Sequence, residues 1–154
     1  MIKRIVCVIM IAALVLCNPF MTEKSEAAKY VNDRFRYSVE YPDSFTDAVY
    51  STNGDGARLG IFDKEVMLTI YGSHNALDVT LKSEFERRMN SVDAVYHSLG
   101  ETYYVVSWLE NGIVYYEKKF ISESYIKAFL FQYPASEKHI YDDVTAHIEG
   151  SFKR

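Results

Sequence analysis

A chain of 154 residues with 25% charged residues and a net charge of −4 carries no basic run, so it is poorly suited to gripping a nucleic-acid backbone or an anionic membrane surface. Both cysteines, Cys7 and Cys17, fall in the first seventeen positions, which leaves the remainder without disulfides, thiol catalysis or thiolate metal sites. Thirteen tyrosines and nine phenylalanines supply enough apolar surface for one ordinary core.

The chain begins with Lys3 and Arg4, then runs uncharged from Ile5 to Cys17 before Asn18-Pro19 breaks the run. As a helix that core spans about 20 Å, short of the roughly 30 Å of hydrocarbon that a stable membrane span must cross. A polar stretch then ends in Ser25-Glu26-Ala27-Ala28, with small residues where signal peptidase requires them. The order predicts a cleavable export signal over residues 1–27, cut after Ala27. Lipidation at Cys17, after Leu14-Val15-Leu16, and an uncleaved anchor are the alternatives; Leu16 fits poorly where a lipobox wants Gly, Ala or Ser. In each case the positive N-terminus stays cytoplasmic and the domain is delivered outside, to the periplasm, the cell surface or the medium. Cleavage removes three basic and two acidic residues, making the chain one unit more negative.

Residues 28–33 read as a leader, and residues 34–154 as one domain with no internal linker or repeat. Phe35, Tyr37, Val39 and Tyr41 alternate with Arg34, Arg36, Ser38 and Glu40, the pattern of a half-buried strand that Pro42 ends. Residues 43–52 are open between a turn and a short strand around Val49 and Tyr50. Asn53-Gly54-Asp55-Gly56 is a turn cluster, and 57–62 and 66–71 are two strands joined at 63–65. Leu77, Leu81, Phe85 and Met89 recur every fourth residue, predicting a helix that starts near Asp78 or Thr80 and ends near Asn90. Strands follow at about 92–98, 101–109, 113–121 and 125–133. Asn111-Gly112 makes the tight hairpin between the middle pair, because a type I′ turn needs positive φ at both central residues. After Pro134, Ser136 is the expected N-cap of a last helix carrying Ile140, Val144, Ile148 and Phe152. Tight turns interrupted by only two helices predict an α+β fold: one antiparallel sheet of about six to seven strands with two main helices packed on it.

The opening Phe35-Arg36-Tyr37-Ser38-Val39-Glu40-Tyr41-Pro42, the hairpin, helix and long meander that follow, the Tyr133-Pro134 end and the closing Ser151-Phe152-Lys153 resemble the PsbP-like superfamily. The likeness covers about residues 34–153. It implies a PsbP-like sandwich and an accessory or binding role of the kind seen in extrinsic photosystem subunits and envelope lipoproteins. The superfamily has no shared catalytic motif, so no catalytic residue is carried over.

The chain offers little chemistry of its own. Neither G-x-S-x-G nor a phosphate-cradling glycine loop is present. Ser73 and His74 are neighbours, and neighbours on a strand face opposite ways. Ser51, Asn53 and Asp55 match the first ligand positions of a calcium loop, but Phe62 stands where its closing Glu belongs. A loose calcium site at Asp43, Asp47 or Asp55 is the residual form of that idea. His139, Asp143 and His147 share one helix face, with the histidines about 12 Å apart, too far to bind one ion. Glu110, Glu117 and Glu123 on the meander are the carboxylates a hydrolase would use.

Tyrosine is enriched at recognition surfaces, and adjacent pairs such as Tyr103-Tyr104 must put a ring on each sheet face. The weak binding candidates are therefore Asn53, Asp55, Tyr103, Tyr115 and Tyr125. The reading at this point is an exported, non-enzymatic binding domain for a protein or glycan of the bacterial envelope or extracellular space, with no metal, cofactor or nucleic acid. The alternative is a carboxylate-dependent hydrolase acting on polymers there.

Overall fold

The computed structural model describes residues 27–152. The expected signal, with Cys7 and Cys17, lies outside the described residues apart from Ala27. The stretch read as a leader is itself a strand, β1 (Ala27–Asn32), paired antiparallel with β2 (Tyr37–Pro42) from Ala27 opposite Pro42 to Asn32 opposite Tyr37. Its signal was weak because Tyr30 alone packs against the core while Val31 is 56% exposed. The chain reverses at residues 33–36, where Arg36 takes φ 52°, so β2 begins three residues later than the alternation suggested. The Asn32 side chain holds this reversal by accepting the Phe35 N–H at 2.9 Å. Phe35, Tyr37 and Val39 are buried, on the face the alternation assigned.

The main sheet is built from β3 (Asp47–Tyr50), β4 (Gly56–Ile61), β5 (Val66–His74), β6 (Ala94–Leu99), β7 (Tyr103–Glu110), β8 (Ile113–Ile121) and β9 (Tyr125–Pro134). All seven are antiparallel, in the order β3-β4-β5-β9-β8-β7-β6. Two meanders are thus joined down the middle by β5 against β9. Asn111 and Gly112 have φ 51° and 80°, the two positive values the tight hairpin requires.

The helix α1 (Leu81–Met89) starts at Thr80, whose hydroxyl accepts the Ser83 N–H while Ser83 returns the bond, a reciprocal cap. Leu77 lies outside this helix and is almost fully exposed, so the apolar stripe is one turn shorter than its spacing implied. The second helix, α2 (Lys138–Ser151), follows a 3₁₀ turn over Ala135–Glu137. Ser136 falls inside that turn and does not cap α2, which starts without a side-chain cap. The inward face is also rotated. Tyr141, Thr145 and Ile148 are buried, whereas Ile140 points out.

Two cores result, one on each face of the sheet. On one face, α2 and the β1–β2 ribbon cover Leu68 and Ile70 of β5 and Phe129, Phe131 and Tyr133 of β9. Here the Phe35 ring lies directly on the β5 backbone: a Cβ added at Gly72 would come within 2.6 Å of it. On the other face, Leu81, Phe85 and Met89 of α1 pack on Tyr104, Val106 and Trp108 of β7. The whole is an α+β sandwich with a seven-stranded antiparallel sheet, a two-stranded ribbon and two α-helices among the described residues.

Candidate functional site

Helix α2 is about 21 Å long at 1.5 Å per residue and lies over β2, β8 and β9. It does not reach the far strands of the same face, and an open cleft of about 440 Å³ remains between α2 and β6–β7. The apolar lining includes Val95, Tyr96, Leu109, Val114 and Ala146. Val95 is 71% exposed, Tyr96 54% and Leu109 53%, a concentration of large apolar side chains that the sheet leaves uncovered. Several polar side chains around the cleft are held in pairs. Tyr116 donates to Glu149 at 2.5 Å and Tyr133 to Asp142 at 3.0 Å. Lys118 pairs with Glu149 at 3.1 Å, and Lys138 with Asp142 at 2.5 Å. Burial, then the neighbouring Glu149, pushes the Tyr116 phenol well above its ordinary pKa. Burial and the Asp142 hydrogen bond take Tyr133 up to about 12, against the Thr145 hydroxyl, which pulls it down. Both phenols therefore remain donors at any physiological pH, and the cleft wall is preformed.

The cleft runs out to a sheet edge. Among the described residues β6 pairs with β7 alone, and its sequence Ala94-Val95-Tyr96-His97-Ser98-Leu99 has no Lys, Arg, Asp, Glu or proline. Natural edges are usually guarded by such residues. The one irregularity is a register shift between Ala94 and Tyr96, which places Val95 at a bulge.

The opposite face holds a buried ionic network beneath α1. Glu117 and Lys119 of β8 are 4% exposed each. Arg88 and the Tyr104 hydroxyl both hydrogen-bond to Glu117, and Lys119 lies 3.6 Å from the same carboxylate. Lys119 also reaches Glu84 at 3.3 Å, and Glu84 holds Arg87 through two hydrogen bonds of 2.7 and 2.9 Å. Arg87, with Lys119 behind it, holds the Glu84 carboxyl down at about 2, against the opposing effect of burial. A carboxyl depressed in the fold contributes stability that is present above its unfolded pKa and lost as pH falls through the folded value. Unfolding measured from pH 5 to pH 2 is therefore expected to show stability falling between about 4.5 and 2. Glu84→Gln should flatten that slope; an unchanged slope would show that other carboxyls carry it.

The residues singled out from the sequence do not assemble into one site. Asn53 and Asp55 are tied to the fold: Arg34 donates to the Asn53 carbonyl at 2.5 Å and to Asp55 at 2.7 Å, and Asn53 donates to Asp55 at 2.6 Å. Asp47 accepts the Phe62 N–H at 2.7 Å. Among the described residues, no group of three or more His, Asp or Glu side chains is gathered as a metal site would need. Tyr115 stacks on Trp108 at 5.0 Å, on the α1 face. Tyr103 packs on Phe120 beneath the Lys118 ammonium, and Tyr125 on His74 and Phe35, both on the α2 face. Those three tyrosines therefore form no common surface.

Glu110, on β7, lies opposite Ile113 at one end of β8 and Glu123 lies past the other end, with Glu117 midway, about 13 Å from each end at 3.3 Å per residue. Glycosidase carboxyls need about 5–10 Å, so this arrangement gives the hydrolase reading no pair. His139, Asp143 and His147 are exposed on the outer side of α2, with His147 3.7 Å from Glu40. Val95, Tyr96 and Leu109, which line the cleft, lie on strands whose sequences resemble those of ordinary half-buried ones. The uncharged β6 segment was the signal available.

No family model matches this chain, and neither does any curated protein sequence. Among solved structures it is similar to the solution structure of cyanobacterial PsbP (CyanoP) from Synechocystis sp. PCC 6803. The TM-score is 0.63 at 11% sequence identity, over 90% of this chain and 98% of that one. The fold is PsbP-like, as the resemblance of the opening strand and meander implied.

Proposed function

We propose that this chain is an exported accessory domain that binds an extended segment of a partner protein in the α2–β6 cleft and performs no catalysis on it. The observation that carries this reading is the continuity of the apolar cleft with the unguarded edge of β6. An extended peptide adding to that edge would gain main-chain hydrogen bonds and place alternate side chains toward Tyr96 and Leu109. The fixed Tyr116–Glu149 and Tyr133–Asp142 pairs keep α2 at its present height above the sheet, so the groove needs no rearrangement to receive a ligand.

Export rests on the first 27 residues. A cut after Ala27 leaves Ala28–Asn32 to pair with β2, whereas lipidation would carry eleven further residues, from Cys17 to Ala27. Among the described residues no helix is long and apolar enough to cross a membrane.

The test uses the chain expressed with its own leader. Intact mass of the mature protein is expected to correspond to an N-terminus at Ala28. That protein and its Tyr96→Asp/Leu109→Asp variant, both changes on exposed side chains, then serve as baits in an envelope extract. A protein retained by the first and reduced about tenfold or more by the second supports the reading, since burying two charges in a contact costs well over 1.4 kcal/mol. Equal retention by both baits, retention of glycan alone, or retention of nothing would each overturn it.

A further inference from the structure

A second hollow of about 430 Å³ lies on the opposite face of the sheet, beside the ionic network. Its origin is a short side chain in a row of long ones. The register sets Tyr71 of β5, Ala128 of β9 and Lys119 of β8 side by side. Neighbouring strands are about 4.8 Å apart, so Tyr71 and Lys119 stand about 10 Å from each other across the Ala128 methyl. Ser73 and Ile126, the next pair along, close one end. The lip is made by Asn75, Ala76, Leu77 and Val79 together with Glu84 and Arg87 of α1. Residues 75–79 are held rigidly: Asn75 donates to the Val79 and Ser122 carbonyls and accepts the Val79 N–H, each at 2.9 Å.

The charge balance around this hollow is uneven. Among the described residues, Arg87, Arg88 and Lys119 are paired with Glu84 and Glu117, which leaves one positive charge over in a chain that is negative as a whole. The network is also short of acceptors. Arg88 Nε is buried without a hydrogen-bond partner among the described residues. Lys119, with a side chain 5% exposed, hydrogen-bonds to Glu84 at 3.3 Å and to the Tyr104 hydroxyl, while its ion pair with Glu117 is a long one at 3.6 Å. An ammonium that has given up its hydration should find better acceptors than these. The open side of Lys119 is the hollow, whose other polar groups include the Tyr71 and Ser73 hydroxyls and whose apolar wall includes Ile126 and Val79.

We propose that the hollow over Ala128 binds a small organic anion, with its carboxylate or phosphate oxygens on Lys119 and its carbon body against Ile126 and Val79. The bound oxygens offer Lys119 a closer acceptor than Glu84 at 3.3 Å or Glu117 at 3.6 Å, and Tyr71 and Ser73 add donors from the facing strand. Glu84 bars a second negative charge from the Arg87 side, which orients the ligand and favours compact anions over extended polyanions. This site is separate from the cleft and does not depend on its occupant.

The test is titration of the mature domain with benzoate and with phenyl phosphate, followed by amide chemical shifts, with benzyl alcohol as the uncharged control. Saturable shifts centred on Tyr71, Ser73, Lys119 and Ala128 with either anion, and none with benzyl alcohol, are the expected result. Lys119→Met should weaken that binding about tenfold or more, the loss of one hydrogen bond to a charged group. Should that variant fail to fold, Arg87→Gln serves instead: it frees Glu84 to satisfy Lys119, and weaker anion binding is again expected. The Tyr96→Asp/Leu109→Asp variant should bind benzoate as the parent does. Equal shifts with benzyl alcohol, shifts that do not saturate, or anion binding unaltered in Lys119→Met or Arg87→Gln would overturn the proposal.

Discussion

Glu117→Ala is expected to destabilise the domain by about 3–5 kcal/mol, a large share of the 5–15 kcal/mol that holds a typical domain together. Glu117 is 4% exposed and is the counter-charge for Arg88 and Lys119 at once, as well as the acceptor for the Tyr104 hydroxyl. Removing it strands the Arg88 cation and the Tyr104 phenol beneath α1 and leaves Glu84 as the one carboxylate paired with Lys119 among the described residues. Deleting the network as a whole should behave differently. In Glu117→Leu/Lys119→Met/Arg88→Met the desolvation cost of every member disappears together, and stability is expected to return to within about 1–2 kcal/mol of the parent or exceed it. Urea unfolding can be followed by Trp108, the sole tryptophan, which stacks on Tyr115 and lies 5.1 Å below the Arg88 guanidinium. A single-variant loss below about 1 kcal/mol would mean that water reaches Glu117 and that the network is a surface one.

Phe35→Ala should cost about 3–5 kcal/mol, the usual loss for a phenylalanine removed from a core. Its ring is 3% exposed, contacts His74 and Tyr125 edge-on, and is the main link between the β1–β2 turn and the sheet. The complementary change is Gly72→Ala. The new methyl would lie 2.6 Å from the Phe35 Cβ and Cγ, atoms too near the backbone to swing aside, and about 1–3 kcal/mol of overpacking strain follows. In the double variant the methyl occupies space that the ring has vacated, so the two losses should fall short of adding by about 1 kcal/mol or more. Additive losses would show that the ribbon can shift away from β5 without penalty.

Period-two alternation made β2 legible in the sequence, and the Asn111-Gly112 pair located the hairpin between β7 and β8 because few dipeptides accept two positive φ values. What escaped was set by partners distant in sequence. Ala27–Asn32 has too few inward residues to announce a strand, and forms one because β2 offers it a ladder. Ile140 and Tyr141 are both apolar, and only the position of β2 and β9 decides which of them α2 turns inward. The same holds for function. Alternation along one strand says which face a tyrosine takes but not its partner across the sheet, and Tyr115 is taken up by Trp108 and Tyr103 by Phe120. The cleft belongs to no single segment. It is the part of one sheet face that a helix of fixed length leaves over, and no local pattern encodes a remainder.

The middle of the sheet is its last strand. Strand β5 is complete at His74, yet its inner neighbour, β9, does not exist until the chain reaches Pro134. Whether the chain emerges from a ribosome or through a translocation pore, the first meander must wait some sixty residues with the β5 edge bare and Leu68 and Ile70 unpacked. Long-range pairing of this kind slows folding and leaves a sticky edge exposed meanwhile. The period of greatest danger for this protein therefore falls before its final quarter has appeared, and a chaperone holding the nascent chain would be expected to dwell on β5.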